Sequence, residues 1–289
     1  MRHRLLYILL LLPAIWAEAQ VTYQKADSVT VCSLLAKANT KTSTLWFARQ
    51  FLGVPYVAHT LEVNDNEQLV VNTRELDCTT LVETVTALTL CAQQGKKTWS
   101  DYLTALKTLR YRQGKLDGYT SRLHYFSDWI ADKQAMKIVK EIQSPNPPFT
   151  AVQRVNVNYM STHPTAYKAL KAQPELVSVI RQQEQKLTGT KARYIPKSAL
   201  RRSTKALRQA VHDGDIIAIT CNKKGLDIAH LGFAVWKKDG LHLLNASMIH
   251  KKVVEEPMTF YQYLQKHPSH TGIRVLRIEN YKTWNYLIL

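Results

Sequence analysis

The sequence predicts an α+β fold, helices first and an antiparallel sheet after them. Apolar residues recur at helical spacing through 28–52 and again through 78–93. The stretch from 98 to 190 also reads as helical, with irregular breaks. After Gly214 the pattern changes to alternation, the mark of strands with one face buried.

The elements follow in chain order. Arg2 and Arg4 precede an apolar run, Leu5 to Trp16, and then Ala17-Glu18-Ala19-Gln20. This is the layout of a bacterial-type secretory signal cut after Ala19. The run is shorter than the roughly 20 apolar residues of a membrane anchor, and no cysteine follows the cut to carry a lipid. Residues 20–289 are therefore expected to form one exported domain without a stable membrane anchor, periplasmic by first choice and secreted by second.

In that domain, Val31, Leu34, Leu35, Leu45, Ala48, Phe51 and Leu52 form the apolar side of the 28–52 helix, which breaks near Asn39 and ends at Gly53-Val54-Pro55. Tyr56–Val63 and Gln68–Asn72 read as short strands around the turn Asn64-Asp65-Asn66. Cys78, Leu81, Val85, Leu88 and Ala92 then mark the helix 78–93, whose threonines and valines make it dependent on packing. Trp99, Leu103, Leu106 and Leu109 form one later helical stripe, and Trp129, Met136 and Val139 another. A helical insertion is expected over about 95–190, broken at Ser144-Pro145-Asn146-Pro147-Pro148. Strands are expected at Asp215–Cys221, Ala229–Trp236, Leu241–Ile249 and Gly272–Glu279, with a hairpin turn at Lys237-Lys238-Asp239-Gly240 and a short helix near Met258–Leu264.

Composition narrows the function classes. At 45% hydrophobic residues over 289 positions the chain is globular rather than disordered, and four cysteines are too few for a disulfide-built scaffold. Its 39 Lys+Arg against 22 Asp+Glu, net +17, raise the question of an anionic partner. Nine of those bases meet one Glu between Arg181 and Arg208, a run that reads by default as a solvated helix surface. Tyr194 is the only aromatic residue there, which argues against a nucleic-acid groove.

Chemistry concentrates at three residues. Asp77 is a good N-cap, which places Cys78 in the first turn of its helix, where free N–H groups and the helix dipole stabilise a thiolate. The alternatives are a buried structural cysteine or half of a disulfide. Cys78 and Cys91 cannot pair, because thirteen helical residues at about 1.5 Å each put them roughly 20 Å apart; pairing with Cys32 or Cys221 stays open. His230 opens the strand His-Leu-Gly-Phe-Ala-Val-Trp. A hairpin symmetric about Lys238-Asp239 sets His230 opposite Ser247 and puts Asn245 diagonally on its face, within side-chain reach. Gly232 and Ala234 share that face and leave space for the helix carrying Cys78. Asn245-Ala246-Ser247 also matches a glycosylation sequon, which an apolar strand in a bacterial-type exported chain makes a poor reading.

These pieces resemble the papain-like, NlpC-type cell-wall cysteine hydrolases, and more closely their N-acetylmuramoyl-L-alanine-amidase-like branch. The matching segments are Phe51-Leu52-Gly53-Val54-Pro55-Tyr56, Leu76-Asp77-Cys78-Thr79-Thr80-Leu81-Val82-Glu83, Ala229-His230-Leu231-Gly232-Phe233 and Leu243-Leu244-Asn245-Ala246-Ser247. Tyr119 to Tyr125 through Trp129, and Tyr194-Ile195-Pro196-Lys197, resemble the branch as well. The resemblance implies a nucleophile helix packed on an antiparallel sheet, with Cys78 as nucleophile, His230 as base and acid, and Asn245 as the orienting third member. Asn replaces the His that many relatives carry, which the need for orientation tolerates. It implies Tyr56 and Asp77 as oxyanion or substrate contacts, with Asp77 also capping its helix. Arg122 and His124 are implied contacts to a substrate carboxylate or sugar, or else surface residues at a helix entry. The implied partner is peptidoglycan or its muropeptide fragments, cut at the N-acetylmuramoyl–L-alanine amide, or alternatively at the γ-D-glutamyl bond inside the stem peptide.

Two readings outside this class compete. Ten histidines suggest a zinc hydrolase, but no H-E-x-x-H occurs and His267 and His270 have no carboxylate at helical spacing. No metal or cofactor is expected. A non-catalytic, basic polyanion-binding envelope protein is the other.

Overall fold

A computed structural model describes residues 21–279; the expected secretory signal lies outside them. The first half runs β1 (Val21–Thr22), α1 (Lys25–Lys37), α2 (Thr44–Arg49), β2 (Leu69–Val70), α3 (Cys78–Gln93), α4 (Trp99–Arg110) and α5 (Phe126–Ala135). Next come β3 (Val139–Ile142), β4 (Ala151–Arg154), α6 (Tyr159–Thr162), α7 (Lys168–Ala172) and α8 (Leu176–Leu187). The chain continues through β5 (Lys191–Pro196), α9 (Lys205–Ala210), β6 (Ile216–Cys221), β7 (Ile228–Lys237) and β8 (Gly240–Ser247). It closes with β9 (Lys252–Glu255), α10 (Phe260–Gln265) and β10 (His270–Ile278). The fold is a mixed α+β arrangement of helices on an antiparallel sheet.

The main sheet has strand order β4-β5-β10-β6-β7-β8-β9, with β3 on the far end of β10. Its centre is apolar on both faces, and the two sets alternate along each strand. Ile216, Ala218, Phe233, Val235, Leu244 and Ala246 join the core around α3. Ile217, Ile219, Ala234, Leu243 and Ile273 point the other way, into a core closed by α9 and α10. That double burial departs from the alternation with one buried face expected after Gly214, and it accounts for the continuous apolar run Ile216–Ile219 in β6.

Helix α3 is the pivot of the first core. Asp77 caps it: its Oδ1 accepts from the Thr80 amide at 2.8 Å, and Thr80 Oγ1 accepts in return from the Asp77 amide at 2.9 Å. Every residue from Thr80 to Ala92 is buried, as a helix apolar all round requires. One of them is Glu83, which accepts from Arg110 Nε of α4 at 2.7 Å. The same guanidinium donates to the Val70 carbonyl of β2. A buried charge keeps its place only when paired in this way, so the contact fixes α3, α4 and β2 to one another.

Several expectations need correction. Tyr56–Val63 is not a strand; it makes only isolated bridges, Tyr56 to Leu76 and Pro55 to Lys252, and His59 at φ +62° breaks any extension. The second expected strand shortens to Leu69–Val70, which pairs in parallel with Val21–Thr22. Leu52 is exposed at 45% rather than packed. Val139 belongs to β3 rather than to a helical stripe, and the segment around 95–190 contains both β3 and β4. These strands were hidden because they are four residues long and the polar Lys140, Glu141, Gln153 and Arg154 interrupt their apolar positions. The basic run 181–208 is no single helix face: it spans the end of α8, all of β5, a tight turn and part of α9.

Candidate active site

The hairpin β7–β8 has the expected register, from Lys237 opposite Gly240 to Phe233 opposite Leu244. That register carries Asn245 to His230. The His230 Nε2 and Asn245 Oδ1 atoms lie 2.9 Å apart. The amide's other end donates from Nδ2 to Glu256 Oε1, also at 2.9 Å. A carboxylate only accepts, so Glu256 turns the Nδ2 side of Asn245 to itself and the carbonyl oxygen to the histidine. His230 must then carry its proton on Nε2, which leaves Nδ1 as the basic nitrogen.

Glu256 is 1% exposed and held by more than Asn245. Its Oε2 faces His250 Nε2 at 3.2 Å, its amide donates to the Leu243 carbonyl, and its own carbonyl oxygen bonds to His242 Nδ1 at 2.8 Å. Sequence reasoning missed this residue. Its sole signal is an acidic pair, Glu255-Glu256, directly before a proline.

Gly232 has a different role from the one expected. A Cβ there would lie 2.5 Å from the Leu244 carbonyl oxygen and 3.1 Å from the Asn245 Cβ. The missing side chain therefore lets β8 approach. Ala234, on the same face, packs into the core of α9 and α10, while α3 lies against Leu231, Phe233 and Val235 on the opposite face. The helix is received by the apolar residues between the small ones.

Cys78, first residue of α3, lines one cleft with His230, beside Thr79, His124, Tyr125, Leu231 and Asp227; its volume is about 190 Å³. The Leu231 amide, the Thr79 side chain and the Cys78 amide favour the thiolate. These contacts and the helix N-terminus do not produce a resting thiolate, contrary to expectation. Burial, followed by the Asp77 carboxylate, outweighs them and pushes the thiol up to about 12. Burial also lowers His230, against the opposing pull of Asn245, Glu256 and Asp77. Thiol and imidazole are thus both neutral at rest. All four cysteines are unpaired, which closes the question of Cys32 and Cys221 partners for Cys78.

The remaining predicted residues separate. The Tyr56 hydroxyl is close enough to Cys78 and Asp77 to feel both, and its phenol is raised by burial first and then by those two groups, so it stays a proton donor. His124 lines the cleft, with Nε2 3.0 Å from the Tyr119 carbonyl oxygen, and burial aided by Arg122 drives it down to about 3. Arg122 does not line that cleft. It donates to Glu67 from Nε and Nη2, at 3.0 and 2.5 Å, and to Glu62 from Nη1 at 2.7 Å. Its charge is already engaged. Among the described residues no group of three or more His, Cys, Asp and Glu side chains is arranged to hold a metal ion, and His267 and His270 stack on each other with centroids 4.6 Å apart. No described helix is long and apolar enough to cross a membrane.

A family model described as N-acetylmuramoyl-L-alanine amidase-like (AmiA-like) matches residues 46–273. Among solved structures, an N-acetylmuramoyl-L-alanine amidase from Bacteroides uniformis is 42% identical, with a TM-score of 0.76, over 82% of this chain and 98% of its own. A Bacteroides fragilis protein whose name proposes a xylanase is 43% identical, with a TM-score of 0.75, over 81% of this chain and 100% of its own. A Legionella pneumophila protein at 23% identity shares the fold, with a TM-score of 0.66 over 88% of this chain and 94% of its own. None of the curated proteins matches the chain.

Proposed function

The chain belongs to the N-acetylmuramoyl-L-alanine amidase-like family, and from that premise we propose that it is an exported cysteine amidase that cuts the N-acetylmuramoyl–L-alanine amide of peptidoglycan fragments. The observation that carries the cysteine mechanism is the chain of contacts from His230 through Asn245 to Glu256, in a cleft shared with Cys78. This is the logic of papain-like sites of the NlpC type: a thiol at a helix N-terminus, an imidazole on a strand, and a side-chain amide that sets the imidazole's tautomer. Export to the periplasm rests on the signal-like residues 1–19.

With both partners neutral at rest, the proton moves as the substrate is attacked. Sγ of Cys78 bonds to the amide carbon while its proton passes to Nδ1 of His230. The imidazolium that forms is stabilised through Nε2–H by Asn245 and, behind it, by the Glu256 charge. The oxyanion takes hydrogen bonds from the Cys78 amide and the Tyr56 hydroxyl. The C–N bond breaks as Nδ1–H protonates the L-alanine nitrogen, leaving a thioester. Water, deprotonated by Nδ1, then releases the lactyl carboxylate and restores the thiol.

A glycosidase reading fits the cleft poorly. Glycoside hydrolysis uses two facing carboxyl groups, whereas among the described residues lining the Cys78 cleft the one carboxylate is Asp227, whose Oδ2 accepts from the Ser127 amide at 2.6 Å. Mass spectrometry of defined muropeptides, with and without intact sugar, tests the amidase. Free peptide beginning with L-alanine plus intact sugar supports it, and a released L-alanyl-γ-D-glutamate dipeptide assigns the stem-peptide bond instead. Cys78→Ala should eliminate turnover and Asn245→Ala should weaken it. Turnover that survives a thiol alkylator but not EDTA, or salt-sensitive polyanion binding with no turnover, sinks the reading.

A further inference from the structure

The segment from Val155 to Leu187 packs into a small core of its own. Val155, Val157, Met160, Leu170, Ile180 and Leu187 cluster apart from the two cores of the main sheet. Met160 and Tyr167 of this segment line the Cys78 cleft. One wall of the cleft is therefore built on a unit whose internal packing does not fix its distance from the thiol.

Tyr125 supplies that link. It reaches into the small core, yet it directly precedes α5, whose Phe126, Trp129 and Ile130 belong to the core around α3. Its hydroxyl accepts from the Met160 amide at 3.0 Å and donates to Glu184 Oε1 at 2.7 Å. The same carboxylate oxygen accepts from the Ser161 amide at 3.1 Å. One phenol and one carboxylate thus join the start of α5 to α6 and α8, at the point where α6 presents Met160 to the cleft.

Glu184 breaks the pattern of its helix. With Ile180 and Leu187 it makes up the buried face of α8, where helical spacing calls for an apolar residue. It is 2% exposed, and its Oε2 has no hydrogen-bond partner among the described residues. A buried carboxylate with an unpartnered oxygen costs stability, and an apolar side chain of similar volume would serve packing at least as well. What the acid adds to packing is an acceptor for Tyr125 and Ser161. The cleft that this contact borders is small: about 190 Å³, below the ~300–1,000 Å³ of ordinary ligand pockets. A modest shift of Met160 would change what fits beside the thiol.

We propose that Glu184 and Tyr125 are a positioning pair, which holds Met160 against the Cys78 cleft and so limits the size of the group admitted beside the thiol. Both act through the wall and not on the reacting atoms. The inference rests on the geometry of the cleft and not on which amide is cut.

Its test alkylates the full chain with a small reagent, iodoacetamide, and a bulky one, N-phenylmaleimide. The Cys78 peptide is followed by mass spectrometry, because Cys32 and Cys221 are also partly accessible. A change in thiol acidity moves both rates, so their ratio reads the width of the cleft. Tyr125→Phe and Glu184→Ala should each raise the N-phenylmaleimide rate relative to iodoacetamide about tenfold, the weight of one ordinary hydrogen bond. Glu184→Gln keeps the acceptor and should keep the wild-type ratio. Circular dichroism checks each fold, and Tyr125→Phe, which loses a single hydroxyl, decides the matter if Glu184→Ala does not fold. A ratio that neither Tyr125→Phe nor Glu184→Ala moves, whatever the change in Tm, reduces the pair to a structural contact and overturns the proposal. So does a ratio that Glu184→Gln shifts as far as Glu184→Ala. Failure of the wild type to cut N-acetylmuramoyl-L-alanine, with the ratios as expected, overturns the amidase and leaves the pair standing.

Discussion

Glu256 accepts from the Asn245 side-chain amide at 2.9 Å, and through that contact a buried carboxylate determines which nitrogen of His230 carries the proton. Without it Asn245 has no reason to prefer one amide orientation. If the amide turns over, its NH2 faces the imidazole and the proton on Nε2 loses its acceptor.

Replacing Glu256 therefore tests a positioning role. Glu256→Gln keeps an acceptor for Asn245 Nδ2 and should retain most activity. Glu256→Leu removes it and should lower kcat about 10- to 100-fold, less than the 10²–10⁴ of losing the base itself, with KM little changed. The same variant leaves a buried amide unsatisfied, which costs about 1–3 kcal/mol and lowers Tm. A purely structural role predicts that Tm falls while the pH profile of kcat keeps its shape; a change in His230 orientation predicts that the acid limb moves as well.

The neutral resting pair has its own signature in pH. His230 accepts the thiol proton only when unprotonated, and burial holds its pKa below the ordinary 6.5. Activity should rise with pH on an acid limb that lies below that value. The Cys78 thiol stays protonated until about 12, so kcat/KM should then run level through neutral into alkaline pH. A preformed thiolate–imidazolium pair gives the opposite sign on that side, since activity falls as the imidazolium loses its proton. A bell-shaped profile falling above neutrality, or thiolate absorbance at neutral pH that disappears in Cys78→Ala, contradicts the neutral pair.

Asp77 separates two effects that coincide at one residue. Its carboxylate caps α3 and also raises the Cys78 thiol. Asp77→Asn keeps a capping oxygen but removes the charge, so the thiol pKa should fall and iodoacetamide should modify Cys78 faster at neutral pH, with Tm nearly unchanged. Asp77→Ala should speed alkylation too and lose about 1 kcal/mol with the cap. Equal alkylation rates in wild type and Asp77→Asn would remove the charge from the account.

Those two variants also mark what was legible in the sequence. Asp77 as N-cap, α3 from Cys78 onward, the hairpin register and the approach of Asn245 to His230 all follow from local rules, namely capping preference, helical spacing and a two-residue turn. The protonation state of Cys78 does not, because it depends chiefly on how deeply the folded chain buries the thiol. Glu256 was equally hidden, since it reaches Asn245 only after β9 has paired with β8. Strands β3 and β4 were masked by short length and by the polar residues within them. Gly232 was noticed for its small size, but which backbone needed the room was a matter of sheet packing.

The charge imbalance yields the last prediction. With 39 Lys+Arg against 22 Asp+Glu, the chain should be drawn towards anionic envelope polymers over distances comparable to the Debye length, about 8–10 Å near physiological salt. Steering acts on encounter, so it should appear in kcat/KM on intact cell wall and not in kcat. Raising salt should lower kcat/KM on whole wall severalfold, while an uncharged sugar–alanine amide is cut at an unchanged rate. The contrast between substrates separates steering from a general salt effect on the enzyme, which would slow both. Salt-independent kcat/KM on whole wall would leave the basic surface without a part in substrate capture.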